Sequence, residues 1–177
     1  PACLGRADAA ISRNLRMDAA FLEQCPALKV IGIHGTGTDR VDLAAAAQRG
    51  VRVVYAPGEN AQSVAELIVG LTLALARRVY LADRMLQTGE ALAIADARLT
   101  GMELHGKTLG LVGVGSIARR AAEMFRRAFG MSIVGYSPSL TEERAACLGL
   151  ARCTCVREVF ARADVVSIGV PLTPQTR

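Results

Sequence analysis

The 177-residue chain has no tryptophan and only seven aromatic residues, four Phe and three Tyr. Its formal charge of +5 comes almost entirely from arginine, with only two lysines, and the basic residues form no tract. Proteins that bind nucleic acid usually combine a basic stripe with aromatic side chains that stack on bases. The sequence therefore argues against nucleic-acid binding, whereas a mild positive charge suits an anionic small ligand.

The chain also lacks a disulfide pattern and a membrane segment. Its cysteines are odd in number and unpaired in spacing: Cys3, Cys25, Cys147, Cys153 and Cys155. This predicts small buried or half-buried thiols in a reducing compartment. Cys153 and Cys155 alone do not indicate a metal site, because no second pair of Cys or His residues accompanies them. The longest uncharged run, 67–76, is too short to span a bilayer, and no signal peptide is visible. We therefore expect a cytoplasmic protein without membrane partners.

Apolar segments alternate with helical ones along both halves of the chain. In the first half, strands are expected at 9–12, 28–33 and 51–55, with helices at 18–24 and 41–49. In the second half, strands are expected at 108–113, 131–136 and 164–170, with helices at 116–129, 141–148 and 156–163. This order predicts an α/β fold with doubly wound parallel sheets.

A longer apolar segment joins the two halves. SVAELIVGLTLALARRVYLADRMLQ (63–87) predicts one long helix, with Ser63 as its N-cap and Glu66 at the capping-box spacing. Because the helix is apolar on much of its surface, it needs burial on more than one side, either in a core or at a subunit interface. The stretch 89–106 that follows shows little regularity.

The stretch LGLVGVGSIARR (109–120) fits the pattern G-x-G-x-x-[GA] between a predicted strand and a predicted helix. Gly113 permits a tight turn, Gly115 lets a pyrophosphate approach the backbone, and Ala118 lets the helix pack closely on its strand. The N–H groups around Ser116 and Ile117 then face the phosphates. The pattern predicts a dinucleotide site, and a tight turn without a ligand is the alternative.

The next predicted strand leads to Ser137, where NAD-binding proteins of this architecture place a carboxylate for the ribose hydroxyls. No acidic residue occurs before Glu142, so the charge that repels the 2′-phosphate of NADP is missing. Ser137 and Ser139 can donate to that phosphate, and Arg144 is a candidate cation, although no arginine adjoins Ser137. The sequence favours NADP or dual use over strict NAD. The alternative is that Ser137 only turns the chain before Pro138.

Four longer stretches occur in a fixed order: LKVIGIHGTGTDRVDL (28–43), VVYAPGENAQSVAEL (53–67), LHGKTLGLVGVGSIA (104–118) and ADVVSIGVPLTPQTR (163–177). On these stretches the chain resembles the D-isomer-specific 2-hydroxyacid dehydrogenases, the family of phosphoglycerate dehydrogenase and the hydroxypyruvate/glyoxylate reductases. The resemblance implies a partial flavodoxin-like substrate domain at 1–59 and a partial Rossmann NAD(P)-binding domain at 60–177. It also implies a homodimer, in which the long helix supports subunit contact.

The resemblance implies roles for individual residues. The loop that meets the substrate carboxylate through backbone N–H groups is matched by Gly35, Thr36 and Gly37, with a plain turn as the alternative. The cofactor site is matched by the pyrophosphate turn, the ribose-reading position and the loop beside the adenosine: Gly113, Gly115, Ser116 and Ile117, then Ser137, then Val170 and Pro171.

Catalysis in the family uses an Arg, a Glu and a His that follow the point where VPLTPQTR occurs, and this sequence stops there. We expect a segment cut at both ends, since it also begins with Pro1. His34 and His105 do not match the catalytic position and are expected to be turn or surface residues, so no catalytic residue is assigned within 1–177.

The full-length protein is expected to be an NAD(P)-dependent oxidoreductase that passes hydride between the nicotinamide and a small 2-keto or 2-hydroxy acid. The segment alone is expected to be inactive. The alternatives are a non-catalytic dinucleotide-binding interaction or regulatory protein of the same fold, and a truncated product without a stable fold.

Overall fold

The computed structural model describes residues 4–90, 96–173 and 176, without the side chain of Leu4. It divides the chain into two compact units, Pro1–Asn60 and Ala61–Arg177. Each unit contains a parallel sheet with helices packed against it, so the expectation of an α/β fold with parallel sheets is confirmed.

From residue 4 onward, the first unit is a three-stranded sheet with two short α-helices and one 3-10 helix. Its elements are a 3-10 helix at Leu4–Arg6, β1 (Ala9–Ser12), α1 (Ala19–Glu23), β2 (Val30–Ile33), α2 (Leu43–Gln48) and β3 (Arg52–Val54). The strands are parallel in the order β1-β2-β3. Both helices begin at an aspartate whose carboxylate accepts a backbone N–H of the first turn, Asp18 in α1 and Asp42 in α2.

The core of the first unit lies on one face of its sheet. Leu22 of α1, Ile31 of β2 and Ala46 of α2 are almost fully buried in one apolar cluster. On the other face Ile11 of β1 is 85% exposed. The two helices therefore cover one side of these strands, and burial of that side stabilises the unit.

In its described residues, the second unit is a four-stranded sheet with five α-helices and one 3-10 helix. Its elements are α3 (Ala61–Ala76), α4 (Val79–Gln87), a 3-10 helix at Ala97–Leu99, β4 (Thr108–Val112), α5 (Ser116–Phe129), β5 (Ser132–Tyr136), α6 (Glu142–Cys147), β6 (Ala151–Arg152), α7 (Val156–Arg162) and β7 (Val165–Ile168). All strand pairs are parallel, in the order β6-β5-β4-β7. The strand order thus reverses beside β4.

The largest core cluster lies between this sheet, α5 and α3. Phe125 of α5 and Leu109 and Leu111 of β4 are completely buried, together with Ala65 of α3. Small residues along α5 allow the helix to approach the sheet closely. This packing holds the start of α5 at a fixed place relative to the end of β4.

The prediction of a single helix over 63–87 is wrong. The segment forms α3 and α4, which are separated at Arg77 and Arg78, and Arg78 has a left-handed backbone with φ of +57°. The chain near Gly101 crosses the end of α3, where the N–H of Met102 donates to the carbonyl of Ala76 at 2.7 Å. Ser63 lies inside α3 and is not an N-cap, because the helix already begins at Ala61.

The expectation that the thiols are buried or half-buried is wrong for two of the four described cysteines. Cys25 and Cys153 are buried, whereas Cys147 at the end of α6 and Cys155 at the N-cap of α7 are exposed. All four are free thiols. Cys3 lies outside the described residues.

The helices of the described ranges include none that is both long enough and apolar enough to cross a membrane.

Candidate functional site

Three segments of the second unit meet at the carboxyl edge of its sheet. The N–H of Gly113, just after β4, donates to the carbonyl of Tyr136 at the end of β5, at 2.8 Å. The N–H of Gly169, just after β7, donates to the carbonyl of Val112, also at 2.8 Å. In open α/β sheets, ligands bind in the crevice at this edge, where the strand order reverses.

Gly113 is required by its surroundings. Its φ of +90° is a left-handed backbone conformation that side chains disfavour. A Cβ at this position would also collide with the carbonyl oxygen of Gly169 and lie 3.1 Å from Cγ1 of Val170. The turn after β4 and the loop after β7 therefore lie directly against each other.

The start of α5 presents backbone donors that are available to a ligand. The first hydrogen bond of the helix runs from the N–H of Arg119 to the carbonyl of Gly115 at 3.0 Å. Within the described part of the chain, the five N–H groups from Val114 to Ala118 donate to no protein acceptor. A Cβ on Gly115 would meet no atom within 4 Å, so a ligand can approach the backbone there. These donors and the helix dipole favour a bound anion.

Arginine side chains add positive charge beside this turn. A groove of about 470 Å³ begins at Ser116 and is lined along α5 by Arg119, Arg120 and Arg126, with Glu123 as its one acidic lining residue. Arg119 Nε donates to the carbonyl of Gly115 at 3.3 Å, which keeps its guanidinium near the start of the helix. The lining side chains therefore carry a net positive charge, which favours phosphate or carboxylate in this groove.

Ser137 lies in a tight turn between β5 and α6. It is half-buried, and its carbonyl accepts the N–H of Leu140 at 3.0 Å. Thr141 caps α6 by accepting the N–H of Arg144 at 3.2 Å, while the side chain of Arg144 is exposed. The structure thus places Ser137 directly beyond β5, the strand that pairs with β4.

Sequence reasoning missed a cation beside this turn. Arg152, in the two-residue strand β6, donates from Nε to the carbonyl of Leu140 at 2.7 Å. Its Nη1 lies 3.2 Å from Oε1 of Glu142. No spacing in the sequence signals this contact, because it depends on the pairing of β6 with β5.

Val170 and Pro171 follow β7 at the same edge of the sheet, and both are exposed. Val170 lies close to Gly113, since its Cγ1 would be 3.1 Å from a Cβ at that position. The structure therefore gathers seven predicted cofactor residues in one region: Gly113, Gly115, Ser116, Ile117, Ser137, Val170 and Pro171.

Gly35, Thr36 and Gly37 lie in the first unit, in the loop after β2. Gly35 accepts the N–H of Ala56 through its carbonyl at 3.0 Å and donates its own N–H to Ile33 at 2.9 Å. The N–H groups from Thr36 to Arg40 donate to no acceptor among the described residues. A run of unpaired N–H groups in a glycine turn can hold an anion.

Both histidines are exposed. His34 follows β2 in the first unit. His105 lies beside Gly130 at the end of α5, opposite the end that begins at Ser116. In the described ranges, no three His, Cys, Asp or Glu side chains come together as metal ligands.

Comparison with known proteins gives consistent matches. Residues 69–177 match the model of the NAD-binding domain of the D-isomer specific 2-hydroxyacid dehydrogenases. The chain is 42% identical over 156 residues to a D-3-phosphoglycerate dehydrogenase of Methanocaldococcus jannaschii, a match that covers 88% of this chain and 29% of the relative.

Two solved structures are also similar. The TT0316 protein of Thermus thermophilus is 38% identical with a TM-score of 0.81, over 91% of this chain and 50% of the other. A D-lactate dehydrogenase of Aquifex aeolicus, solved with NAD and lactic acid, is 26% identical with a TM-score of 0.85, over 99% and 51%. The chain thus spans under a third of the curated relative and about half of these solved chains.

Proposed function

The chain belongs to the D-isomer specific 2-hydroxyacid dehydrogenase family, and from this premise we propose that residues 60–177 bind NAD(H) or NADP(H) and that residues 1–59 form part of a substrate domain. The observation that carries the proposal is the run of five unpaired N–H groups from Val114 to Ala118 at the carboxyl edge of the sheet. The pyrophosphate is bound by the N–H groups of Gly115, Ser116 and Ile117. The adenosine lies between Ser137 and the loop of Val170 and Pro171.

Cofactor binding is tested by titrating residues 1–177 with NADH and with NADPH and following the nicotinamide fluorescence. We expect saturable binding of both cofactors, with NADPH bound at least as tightly as NADH, because Ser137 carries no charge that repels a 2′-phosphate. If neither cofactor binds at millimolar concentration, the proposal is contradicted.

A substitution at residue 137 refines this test. Ser137→Asp is expected to weaken NADPH binding by about tenfold relative to NADH, which corresponds to about 1.4 kcal/mol of repulsion. Ser132→Asp introduces the same charge on an exposed residue at the other end of β5 and serves as the matched control. If the ratio of the dissociation constants for NADPH and NADH changes equally in both variants, residue 137 has no role in the choice of cofactor.

The full-length protein, on this proposal, transfers hydride between the nicotinamide and C2 of a small 2-keto or 2-hydroxy acid. In the loop of Gly35, Thr36 and Gly37, the unpaired N–H groups of Thr36 and Gly37 bind the substrate carboxylate. Hydride addition to the carbonyl leaves negative charge on oxygen, and this charge needs a proton donor and a cation. We assign neither role within 1–177.

Residues 1–177 are therefore expected to bind cofactor without oxidising it. The assay incubates the chain with NADH or NADPH and glyoxylate, hydroxypyruvate or pyruvate, and follows absorbance. Turnover above the background would show that acid/base residues are present in this segment after all.

We also propose that the full-length protein is a homodimer that uses α3. Leu67, Leu71 and Leu75 follow one another at four-residue spacing, are all more than half exposed, and form an apolar stripe. Because each leucine is already partly buried, its complete burial contributes about 1–2 kcal/mol to the free energy of association. Light scattering on the full-length protein should give a dimer mass for the wild type and a monomer mass for the Leu71→Asp variant. Phe160→Asp, an exposed apolar residue on α7, is the control. A monomeric wild type at micromolar concentration would contradict this proposal.

A cytoplasmic location completes the proposal. It is supported by the exposed free thiols of Cys147 and Cys155, which persist most readily in a reducing compartment. Fractionation of cells that express the tagged full-length protein tests it, and recovery in a secreted or periplasmic fraction would contradict it.

A further inference from the structure

The edge strand β6 places an arginine beside the end of β5. The parallel register pairs Arg152 with Gly135, and the N–H of Cys153 donates to the carbonyl of Gly135 at 2.8 Å. Gly135 lies two residues before Ser137. Arg152 is therefore held next to the strand end that reads the ribose in the proposed function.

Two hydrogen bonds connect Arg152 with Ser137. Arg152 Nε donates to the carbonyl of Leu140 at 2.7 Å, and the N–H of Leu140 donates to the carbonyl of Ser137 at 3.0 Å. The guanidinium thus holds the 137–140 turn through the carbonyl of Leu140. These bonds are to backbone atoms, so they leave the positive charge of Arg152 uncompensated.

Glu142 supplies the compensating charge. Its Oε1 lies 3.2 Å from Arg152 Nη1, and its side chain is 74% exposed while that of Arg152 is 30% exposed. An ion pair that is exposed to water on one side contributes little to stability and opens readily. A guanidinium has five N–H donors in a planar fork, so Arg152 can hold Leu140 and still meet an anion.

We propose that the Arg152–Glu142 ion pair sets the choice between NAD(H) and NADP(H) in this chain. Arg152 is the cation that meets a 2′-phosphate, and Glu142 is the carboxylate that competes with that phosphate. A phosphate near pH 7 carries more charge than a carboxylate and binds a guanidinium in the same bidentate way. The inference rests on the proposed function, because it requires that the adenosine ribose lie beside Ser137.

The test measures dissociation constants for NADPH and NADH on each variant of the 1–177 chain and compares their ratio. Glu142→Gln releases Arg152 and is expected to improve NADPH binding about tenfold relative to NADH. Arg152→Gln removes the cation and is expected to weaken NADPH binding about tenfold relative to NADH. Arg152→Lys keeps the charge without the fork and should restore the ratio only in part.

Matched controls separate this role from general charge effects. Glu143→Gln makes the same change one residue later, on a different face of α6, and should leave the ratio unchanged. Arg144→Gln tests the rival cation on the same helix. Raising the salt concentration should reduce the advantage of NADPH in Glu142→Gln, because the new contact is electrostatic.

A purely structural role for Arg152 predicts another result. Loss of the bond to Leu140 alone would weaken both cofactors equally, lower the melting temperature and leave the ratio unchanged. If Arg152→Gln does not fold, Glu142→Gln still decides the question, since its side chain is mostly in solvent.

Opposite shifts of the ratio in Glu142→Gln and Arg152→Gln, with no shift in the controls, support the inference. Binding of both cofactors with an unchanged ratio in Glu142→Gln overturns it and leaves the proposed function intact, as does a shift in Arg144→Gln but not in Arg152→Gln. Failure of the wild type to bind either cofactor overturns the proposed function and the inference with it.

Discussion

The close approach of Gly113 to Gly169 makes Gly113→Ala an informative substitution. The new methyl group meets two separate obstacles, the left-handed backbone with φ of +90° and the carbonyl oxygen of Gly169. Gly89→Ala is the matched control, because its φ of +73° imposes a similar backbone penalty while no atom lies within 4 Å of the added methyl group.

The backbone conformation and the steric contact each lower the free energy of unfolding, by different amounts. A left-handed conformation costs a non-glycine residue about 1–2 kcal/mol, and overpacking against a fixed neighbour costs about 1–3 kcal/mol more. Gly89→Ala carries only the first cost, so Gly113→Ala should be less stable than the control by about 1–3 kcal/mol. For a unit of this size that difference lowers the melting temperature by roughly 4–12 °C.

The same substitution should weaken the cofactor site. If the displaced turn loses one hydrogen bond from a backbone N–H to a phosphate, the cost of about 1.5–3 kcal/mol raises the dissociation constant for NADH by roughly 10- to 150-fold. Thermal melts followed by circular dichroism and titrations by nicotinamide fluorescence measure both effects. If Gly113→Ala has the same melting temperature and the same affinity for NADH as Gly89→Ala, the approach of Gly169 is not the reason that residue 113 is a glycine.

Three further outcomes are expected from other parts of the second unit. Burial raises the pKa of the Cys153 thiol, so iodoacetamide should label Cys147 and Cys155 in the native chain and spare Cys153. Peptide mass mapping measures the labelling, and labelling of Cys153 at the same rate would contradict this prediction. The N–H of Thr154, 2.7 Å from the Glu158 carboxylate, lowers the pKa of that carboxyl, with the Thr154 hydroxyl and Arg162 adding to the effect. Because the pKa is lowered on folding, the stabilisation is present above the unfolded value of about 4.3 and is lost as pH falls through the folded value. The difference in melting temperature between wild type and Glu158→Gln should therefore shrink below about pH 4, and a constant difference from pH 7 to pH 3 would refute this assignment. Arg78→Gly relieves the left-handed backbone and should raise stability by about 1 kcal/mol, whereas Arg77→Gly should lower it; stabilisation by neither, in thermal melts, would contradict the strain assigned to Arg78.

Much of the second unit could be predicted from local signals. The helix expected at 116–129 has those bounds in the structure, because Gly115 precedes it and Gly130, with φ of +62°, ends it. The break between α3 and α4 could not be predicted in the same way. Its cause is the chain near Gly101 and Met102, which is distant in sequence and crosses the end of α3.

The candidate site shows the same division. The glycine spacing after β4 predicted a turn with available donors, and the structure shows unpaired N–H groups there. The contact between that turn and Gly169 could not be predicted from spacing, because it depends on β7 pairing directly with β4. The roles of the residues in this region remain predictions until cofactor binding is measured.

The position of Arg152 depends on the core in a way that connects stability with cofactor choice. Successive residues of a strand point to opposite faces, so a slip of β6 by one residue would exchange the environments of Arg152 and Cys153. Cys153 is completely buried, and its N–H is bonded to Gly135. A slip would bury the guanidinium in place of a thiol, which costs far more than one unpaired hydrogen bond. Burial of Cys153 therefore selects the register that leaves Arg152 beside Leu140 and Glu142. Two residues of edge strand are sufficient for this purpose because their register is set by the core.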